Sequence, residues 1–137
     1  MNSYIVSDDK SKLDIGVIHS FLTNSYWAEG RSIETVEETV KHSDCFGLYD
    51  NEKQIGFARV VSDYVVFAYL LDVFILEEYR GRGLSKKLLN NIFKNPKYAN
   101  IKKWKLATRD AHGLYQKFGF KPITKPERLM EKIVSGK

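Results

Sequence analysis

The residues between Val65 and Lys87 combine one isolated acid with a glycine-rich basic turn. Val65 to Leu76 is a run of twelve residues in which Asp72 is the only charged side chain. A charge in an apolar strand is costly unless it is satisfied. Asp72 is therefore either an acid at a bulge, bonded to backbone amides or to a nearby arginine, or a working carboxylate.

The turn that follows has the features of an anion site. Gly81 and Gly83 allow a positive φ and a close approach of the backbone to a ligand, and the free amides of the next helix favour a phosphate. Arg80, Arg82, Lys86 and Lys87 add positive charge. These residues predict a phosphate or pyrophosphate ligand, and the alternative is a plain surface turn with a solvated basic patch. The spacing fits neither a P-loop nor a dinucleotide fingerprint, whose third glycine position is Lys86 here.

The bulk composition indicates one ordinary globular domain over residues 1–137. The chain is 43% apolar and has a formal net charge of +5, which suits an anionic ligand as well as nucleic acid. The basic residues are scattered without a recognition-helix signature, so we do not expect nucleic-acid binding. One cysteine, Cys45, favours a reducing cytoplasm, and no apolar stretch is long enough for a signal core or a membrane span. The three histidines are isolated, so no metal site is expected.

Apolar periodicity predicts the elements that position these residues. The order is β-α-α-β-β-β-α-β-α-β, to which a second closing strand would add a last β. Ser32 caps the second helix, and Pro96 stops the helix that starts near Leu84. The predicted strands are Tyr4 to Val6, Cys45 to Tyr49, Ile55 to Val61, Val65 to Leu76, Ile101 to Thr108, Phe120 to Ile123 and Leu129 to Val134. This is a mixed α/β arrangement with early hairpins and a single late crossover, unlike a doubly wound nucleotide fold.

Two segments together resemble a known family. "FILEEYRGRGLSKKLL" is similar to the acetyl-CoA signature of the GCN5-related N-acetyltransferases (GNAT family), Arg/Gln-x-x-Gly-x-Gly/Ala, matched here by Arg80, Gly83 and Ser85. "DAHGLYQKFGF", Asp110 to Phe120, resembles the family's Ala-x-x-Leu-Tyr-x-x-x-Gly-Phe segment. The resemblance implies a GNAT fold. Its central sheet is mostly antiparallel with one splayed parallel strand pair, and about four helices flank the sheet.

The resemblance implies an acetyl-CoA-dependent N-acetyltransferase that works by direct attack in a ternary complex. The alternative is a non-catalytic acyl-CoA-binding or regulatory module on the same fold. Cys45 is expected on an early strand, away from the thioester, so no acetyl-cysteine intermediate is expected. The backbone of a strand would hold the pantetheine arm, and the turn would hold the pyrophosphate. The implied cofactor-binding residues are Val73, Phe74, Ile75, Arg80, Gly81, Arg82, Gly83, Leu84, Ser85 and Lys86.

Catalytic and acceptor-binding residues follow from the same resemblance. Tyr115 is the expected general acid, because a phenol is protonated at neutral pH, although its helical spacing also fits core packing. Asp72 is the expected base or amine anchor. The expected acceptor-binding residues are Tyr26, Trp27, Arg31 and Asp63. The acceptor is a small-molecule or peptide amine of open identity, and Arg31 suits a carboxylate or phosphate on it. Family members often dimerise through terminal strands, which leaves a homodimer open.

Overall fold

The structure is a computed structural model that describes residues 3–134. These residues fall into two compact units, 3–107 and 108–134. The single-domain organisation expected from the length stays a prediction. No helix within the described part of the chain is long and apolar enough to cross a membrane.

The first unit contains a five-stranded sheet and three α-helices. The sheet order is β1-β2-β3-β4-β5, with the strands β1 (Tyr4–Ser7), β2 (Asp44–Asp50), β3 (Lys53–Ser62), β4 (Phe67–Ile75) and β5 (Lys103–Lys105). The helices are α1 (Ile15–Thr23), α2 (Ile33–Lys41) and α3 (Leu84–Phe93). The first four strands are antiparallel, and β4 pairs with β5 in parallel. This mixed sheet with one parallel pair confirms the predicted fold class.

Both faces of the sheet are covered. On one face α1 and α2 contribute to a core cluster with Cys45, Phe57 and Phe74 from three neighbouring strands. All interior residues of β2 are buried. Because successive side chains of a strand point to opposite faces, the second face of the sheet is covered as well. The apolar stripe of α3 is buried, and this helix contacts β1, β2 and β4. Ser32 caps α2 as predicted, because its side chain accepts from the Thr35 amide.

Strand β4 contains a bulge at the position of the isolated acid. Phe57 lies opposite Phe74 and Arg59 lies opposite Leu71, so β4 has one residue more than β3 between these two pairs. Asp72 adopts φ +54°, the left-handed region that few non-glycine residues enter. The extra residue turns the Asp72 side chain to a buried position with 5% exposure.

The second unit contains one short helix, α4 (His112–Gln116), and a 3-10 turn at Pro126–Arg128. The helix was predicted to end at Gly119, whereas it ends at Gln116 and the chain turns over the next three residues. Gly119 closes this turn with a φ of +93°, the left-handed conformation typical of a glycine just past a helix. The closing strands predicted at Phe120 to Ile123 and Leu129 to Val134 are wrong, since neither segment forms a strand. Alternation of apolar residues is a local signal, whereas a strand also needs a partner, and every residue from 121 to 134 is exposed.

Candidate active site

Asp72 accepts three hydrogen bonds in the first unit. Arg59 Nε donates to Oδ2 over 2.8 Å, and Arg31 Nη1 donates to the same oxygen over 3.0 Å. Trp27 Nε1 donates to Oδ1 over 2.8 Å. The Asp72 side chain is 1% exposed, against 11% for Arg59 and 20% for Arg31. We call these four residues the Asp72 cluster. Its contacts match the bulged, arginine-bonded acid that the sequence offered as one of two alternatives.

A structured loop after α1 places two members of the cluster. Ser25 Oγ donates to the Leu22 carbonyl and accepts from the Ala28 amide, which fixes the start of the loop. The Gly30 amide then donates to the Thr23 carbonyl. Aromatic contacts anchor the same segment, because Trp27 lies 6.4 Å from the ring of Phe21. The loop therefore brings Trp27 and Arg31 over β4.

Phe21 connects this loop to the end of β4. Its ring stacks on Phe74 with centroids 4.1 Å apart and an interplanar angle of 9°. The Arg80 guanidinium lies 6.0 Å from the Phe21 centroid, and Arg80 Nε donates to the Ile75 carbonyl over 3.1 Å. One arginine of the basic turn thus packs between α1 and the strand end, which fixes where the turn begins.

The exposed faces of Tyr26 and Trp27 form the outer part of this region. Tyr26 is 47% exposed and Trp27 is 40% exposed, and their rings meet edge to face at 5.2 Å. Three of the four predicted acceptor-binding residues, Tyr26, Trp27 and Arg31, therefore lie together in one loop beside Asp72.

Asp63, the fourth predicted acceptor-binding residue, lies in the turn between β3 and β4. Its Oδ1 accepts from the amides of Val65, Val66 and Phe67. These backbone hydrogen bonds lower the pKa of the Asp63 carboxyl. Asp63 lies four positions after Arg59, just beyond the end of β3, which is about 13 Å at the rise of a strand. The structure therefore supplies Asp63 with a turn-capping role and does not bring it to the Asp72 cluster.

The parallel pair of strands separates early. Pairing with β5 covers Phe67, Ala68 and Tyr69. From Leu70 to Ile75, no strand among the described residues pairs with β4 on that side. This unpaired edge includes Val73, Phe74 and Ile75. Because the pairing ends at Lys105, β5 is shorter than the predicted strand at Ile101 to Thr108.

The glycine-rich turn ends in an uncapped helix. Gly83, the residue before α3, has φ +74° and no side-chain cap, and Gly81 has φ +81°. The first helical hydrogen bond of α3 runs from the Lys87 amide to the Gly83 carbonyl. The amides of Leu84, Ser85 and Lys86 precede it and point out of the helix N-terminus. A Cβ on either glycine would meet no heavy atom within 4 Å, so the space beside both glycines is open.

The Arg82 side chain contacts Tyr4 of β1 and Tyr79, which precedes the turn. Its Nη1 donates to the Tyr4 hydroxyl over 2.8 Å, and its guanidinium lies 5.1 Å from the Tyr79 ring centroid. The Tyr79 hydroxyl in turn donates to Asp50. These contacts hold the Arg82 side chain in place at the outer half of the turn.

Cys45 lies on β2 as predicted and is 2% exposed. Desolvation by burial raises the pKa of its thiol to about 11. At neutral pH it is therefore a buried, protonated thiol, which is a poor nucleophile.

Tyr115 belongs to the second unit, in α4. It is 8% exposed, and its ring meets Phe120 edge to face at 5.9 Å. The Phe120 amide donates to the Tyr115 carbonyl, which closes the turn after the helix. At the helix start, the Ala111 amide donates to Thr108 Oγ1. The structure thus gives Tyr115 a defined packing position, and its role as an acid stays a prediction.

Sequence reasoning missed Arg59. It lies in the otherwise apolar segment Ile55 to Val61, on the strand that pairs with β4. A lone cation and a lone anion in adjacent buried strands are a signal for an ion pair, and this signal could have identified Arg59 as the partner of Asp72.

Comparison with known proteins identifies the family. Residues 41–122 match a family model described as an acetyltransferase (GNAT) domain. A crystal structure from Xanthomonas campestris pv. campestris, of a protein described as belonging to the GNAT family, is 46% identical with a TM-score of 0.93. The match covers 98% of this chain and 95% of that one. GCN5-related N-acetyltransferase 2, chloroplastic, from Arabidopsis thaliana is 32% identical over 72% of this chain and 40% of its own length.

A third relative also matches most of the chain. A Gibberella zeae protein, FG08082, whose name includes the word acetyltransferase, is 27% identical. The alignment covers 83% of this chain and 76% of that protein. The matched model includes the bulged strand, the glycine-rich turn and α4, which are the segments on which the sequence resemblance rested. This chain belongs to the GNAT family of acetyltransferases.

Proposed function

We propose that this chain transfers the acetyl group of acetyl-CoA to an amine acceptor, which attacks directly in a ternary complex. One observation carries the proposal: the unpaired edge of β4 leads into the uncapped N-terminus of α3. An extended amide chain suits the first feature and a pyrophosphate suits the second. A structural neighbour from Clostridium acetobutylicum, 18% identical with a TM-score of 0.68, is described with acetyl-CoA, which supports this choice.

The residues present fit such a cofactor. The amides of Leu84, Ser85 and Lys86 would hold the pyrophosphate, together with the backbone at Gly81, Arg82 and Gly83. The open space before both glycines supports this assignment, since no side chain fills it. Ser85 replaces the glycine or alanine of the family pattern with a side chain that is still small and could contact a phosphate. Arg80 would act mainly by fixing the turn, because its side chain already contacts Phe21 and the Ile75 carbonyl.

The chemistry divides between backbone and side chains. Bound acetyl-CoA supplies an activated acyl group as a thioester. The backbone amide at Val73 or Phe74, on the unpaired edge, would donate to the developing oxyanion. Tyr115 would supply a proton from its hydroxyl to the leaving thiolate. Asp72 would orient the acceptor side of the site, since its carboxylate already accepts three N–H donors.

The test is a two-substrate assay with the full chain. Acetyl-CoA and a panel of amines are incubated with the protein, and the release of free CoA thiol is followed. Acetyl-CoA binding is measured separately by calorimetry. We expect binding without an amine, and thiol release that requires both substrates. The C45A variant serves as a control for the protein's own thiol.

The two measurements separate the alternatives. An absence of calorimetric acetyl-CoA binding would reject the proposal outright. Binding without turnover on any amine would favour the acyl-CoA-binding module instead. Thiol release by C45A at the rate of the unmodified chain would exclude an acetyl-cysteine intermediate.

A further inference from the structure

The Asp72 cluster has more positive than negative charge. Two guanidiniums, from Arg31 and Arg59, donate to one carboxylate, and both use the same oxygen. The described residues provide no other acid within ion-pair distance of either arginine. Glu29, in the same loop, is exposed and forms no ion pair with them. One positive charge is therefore left without an internal counter-charge in a largely buried cluster.

The unused donors belong mainly to Arg31. Arg59 uses Nε for Asp72 and Nη1 for the Ser43 hydroxyl, and its side chain is 11% exposed. Arg31 makes one hydrogen bond, from Nη1, and its side chain is 20% exposed. None of its nitrogens is both buried and unpaired among the described residues. The remaining N–H groups of Arg31 therefore reach solvent, and the exposed rings of Tyr26 and Trp27 belong to the same loop.

A guanidinium held by one carboxylate is a suitable receptor for a second anion. Its planar donors match a carboxylate or phosphate in bidentate geometry, and its orientation is already fixed by Asp72. The fixed orientation lowers the entropy cost of binding. The same surplus charge repels an ammonium group, so a polyamine is the poorest match for this surface.

We infer that the acceptor is an amine that also carries an anionic group, a carboxylate or a phosphate, and that Arg31 binds this group. The inference rests on the proposed acetyl transfer and names its substrate class. Trp27 holds the other oxygen of Asp72, so it positions the receptor rather than binding the anion.

The first experiment needs no turnover. The two tryptophans, Trp27 and Trp104, give two indole N–H resonances in an NMR spectrum of labelled protein. Phosphate, acetate and, as an ionic-strength control, chloride are titrated in turn. We expect a saturable shift of the Trp27 resonance with phosphate or acetate and little change at Trp104. The anion that saturates identifies the group that Arg31 prefers.

Variants make this experiment specific. R31Q removes the receptor charge, and K94Q removes one exposed charge at the end of α3 as a matched control. The saturable shift should be lost in R31Q and kept in K94Q. The inference is overturned if no anion gives a saturable shift in the unmodified chain, or if R31Q responds equally. Thermal unfolding of R31Q and of R31K shows whether the fold persists.

The second experiment uses matched acceptors. Glycine is compared with glycinamide, phosphoethanolamine with ethanolamine, and spermidine represents polyamines. We expect kcat/KM to favour the anionic member of a pair by about tenfold to a hundredfold, as for a hydrogen bond to a charged group. This ratio should fall towards one in R31Q. If kcat/KM is higher for the neutral member of each pair, or for spermidine, the inference is rejected. The proposed acetyl transfer is then still supported, because the enzyme turns over.

Discussion

Trp27 Nε1 donates to Oδ1 of Asp72 over 2.8 Å, although 45 residues separate them in sequence. The bond ties the loop after α1 to the bulge of β4. Because Arg59 of β3 donates to the same carboxylate, Asp72 connects the loop to two adjacent strands, β3 and β4.

Replacing Asp72 by asparagine should destabilise the fold by about 3–5 kcal/mol, the cost of breaking a buried ion pair. Asparagine tolerates the left-handed φ of this position, so the change isolates the charge. Urea unfolding measures the effect. D8N is the control, because Asp8 is exposed and forms one ion pair at 4.0 Å, with an expected effect below about 0.5 kcal/mol. Equal free energies of unfolding for D72N and D8N would contradict the conclusion that the Asp72 cluster stabilises the fold.

Replacing Gly83 by alanine should weaken acetyl-CoA binding at least about tenfold. A left-handed φ costs a non-glycine residue about 1–2 kcal/mol, and the new methyl group occupies open space in the turn proposed to hold the pyrophosphate. Calorimetry gives the dissociation constant. Gly30→Ala is the matched control, with φ +77° and similarly open space. Similar losses of affinity in both variants would show that strain alone, and not the turn, is responsible.

Replacing Tyr115 by phenylalanine should lower kcat by about a hundredfold, the usual contribution of a general acid, with acetyl-CoA affinity unchanged. Steady-state assays and calorimetry separate the two quantities. Tyr64→Phe deletes a hydroxyl that donates to Asp44 from the β3–β4 turn, and it should leave kcat unchanged. If Tyr115→Phe keeps full turnover, the proton must come from another group.

Stability should fall with rising pH between about 9 and 11 because of Cys45. Burial raises the pKa of this thiol from 9.0 to about 11. Above pH 9 the unfolded chain loses the proton first, so it binds fewer protons than the folded chain and unfolding becomes easier. At pH 10 the effect is about 1 kcal/mol. The C45A variant should lose less stability than the unmodified chain between pH 7 and pH 10, and identical losses would exclude this cause.

Local signals in the sequence predicted most elements of the first unit. The Ser32 cap, the start of α3 at Leu84 and the helix end before Pro96 each depend on a few adjacent residues, and each was found. The closing strands failed because a strand depends on a partner. For the same reason β5 is limited to the three residues that face β4 before the two strands diverge.

The hydrogen-bond partners of Asp72 were not predicted from the sequence either. Its burial required a compensating group, and one of the two alternatives named an arginine. The partners themselves come from an adjacent strand and from a loop, at separations of 13, 41 and 45 residues. Only the register of β3 against β4 and the path of the loop decide which of the arginines reach it.

The bulge also limits which amino acid position 72 can hold. Its left-handed backbone is open at low cost to glycine, asparagine and aspartate. Among these three, aspartate alone brings a negative charge to the guanidiniums of Arg31 and Arg59. Two independent requirements, one of conformation and one of charge, therefore overlap in a single amino acid, and the mutational freedom of this position is close to zero.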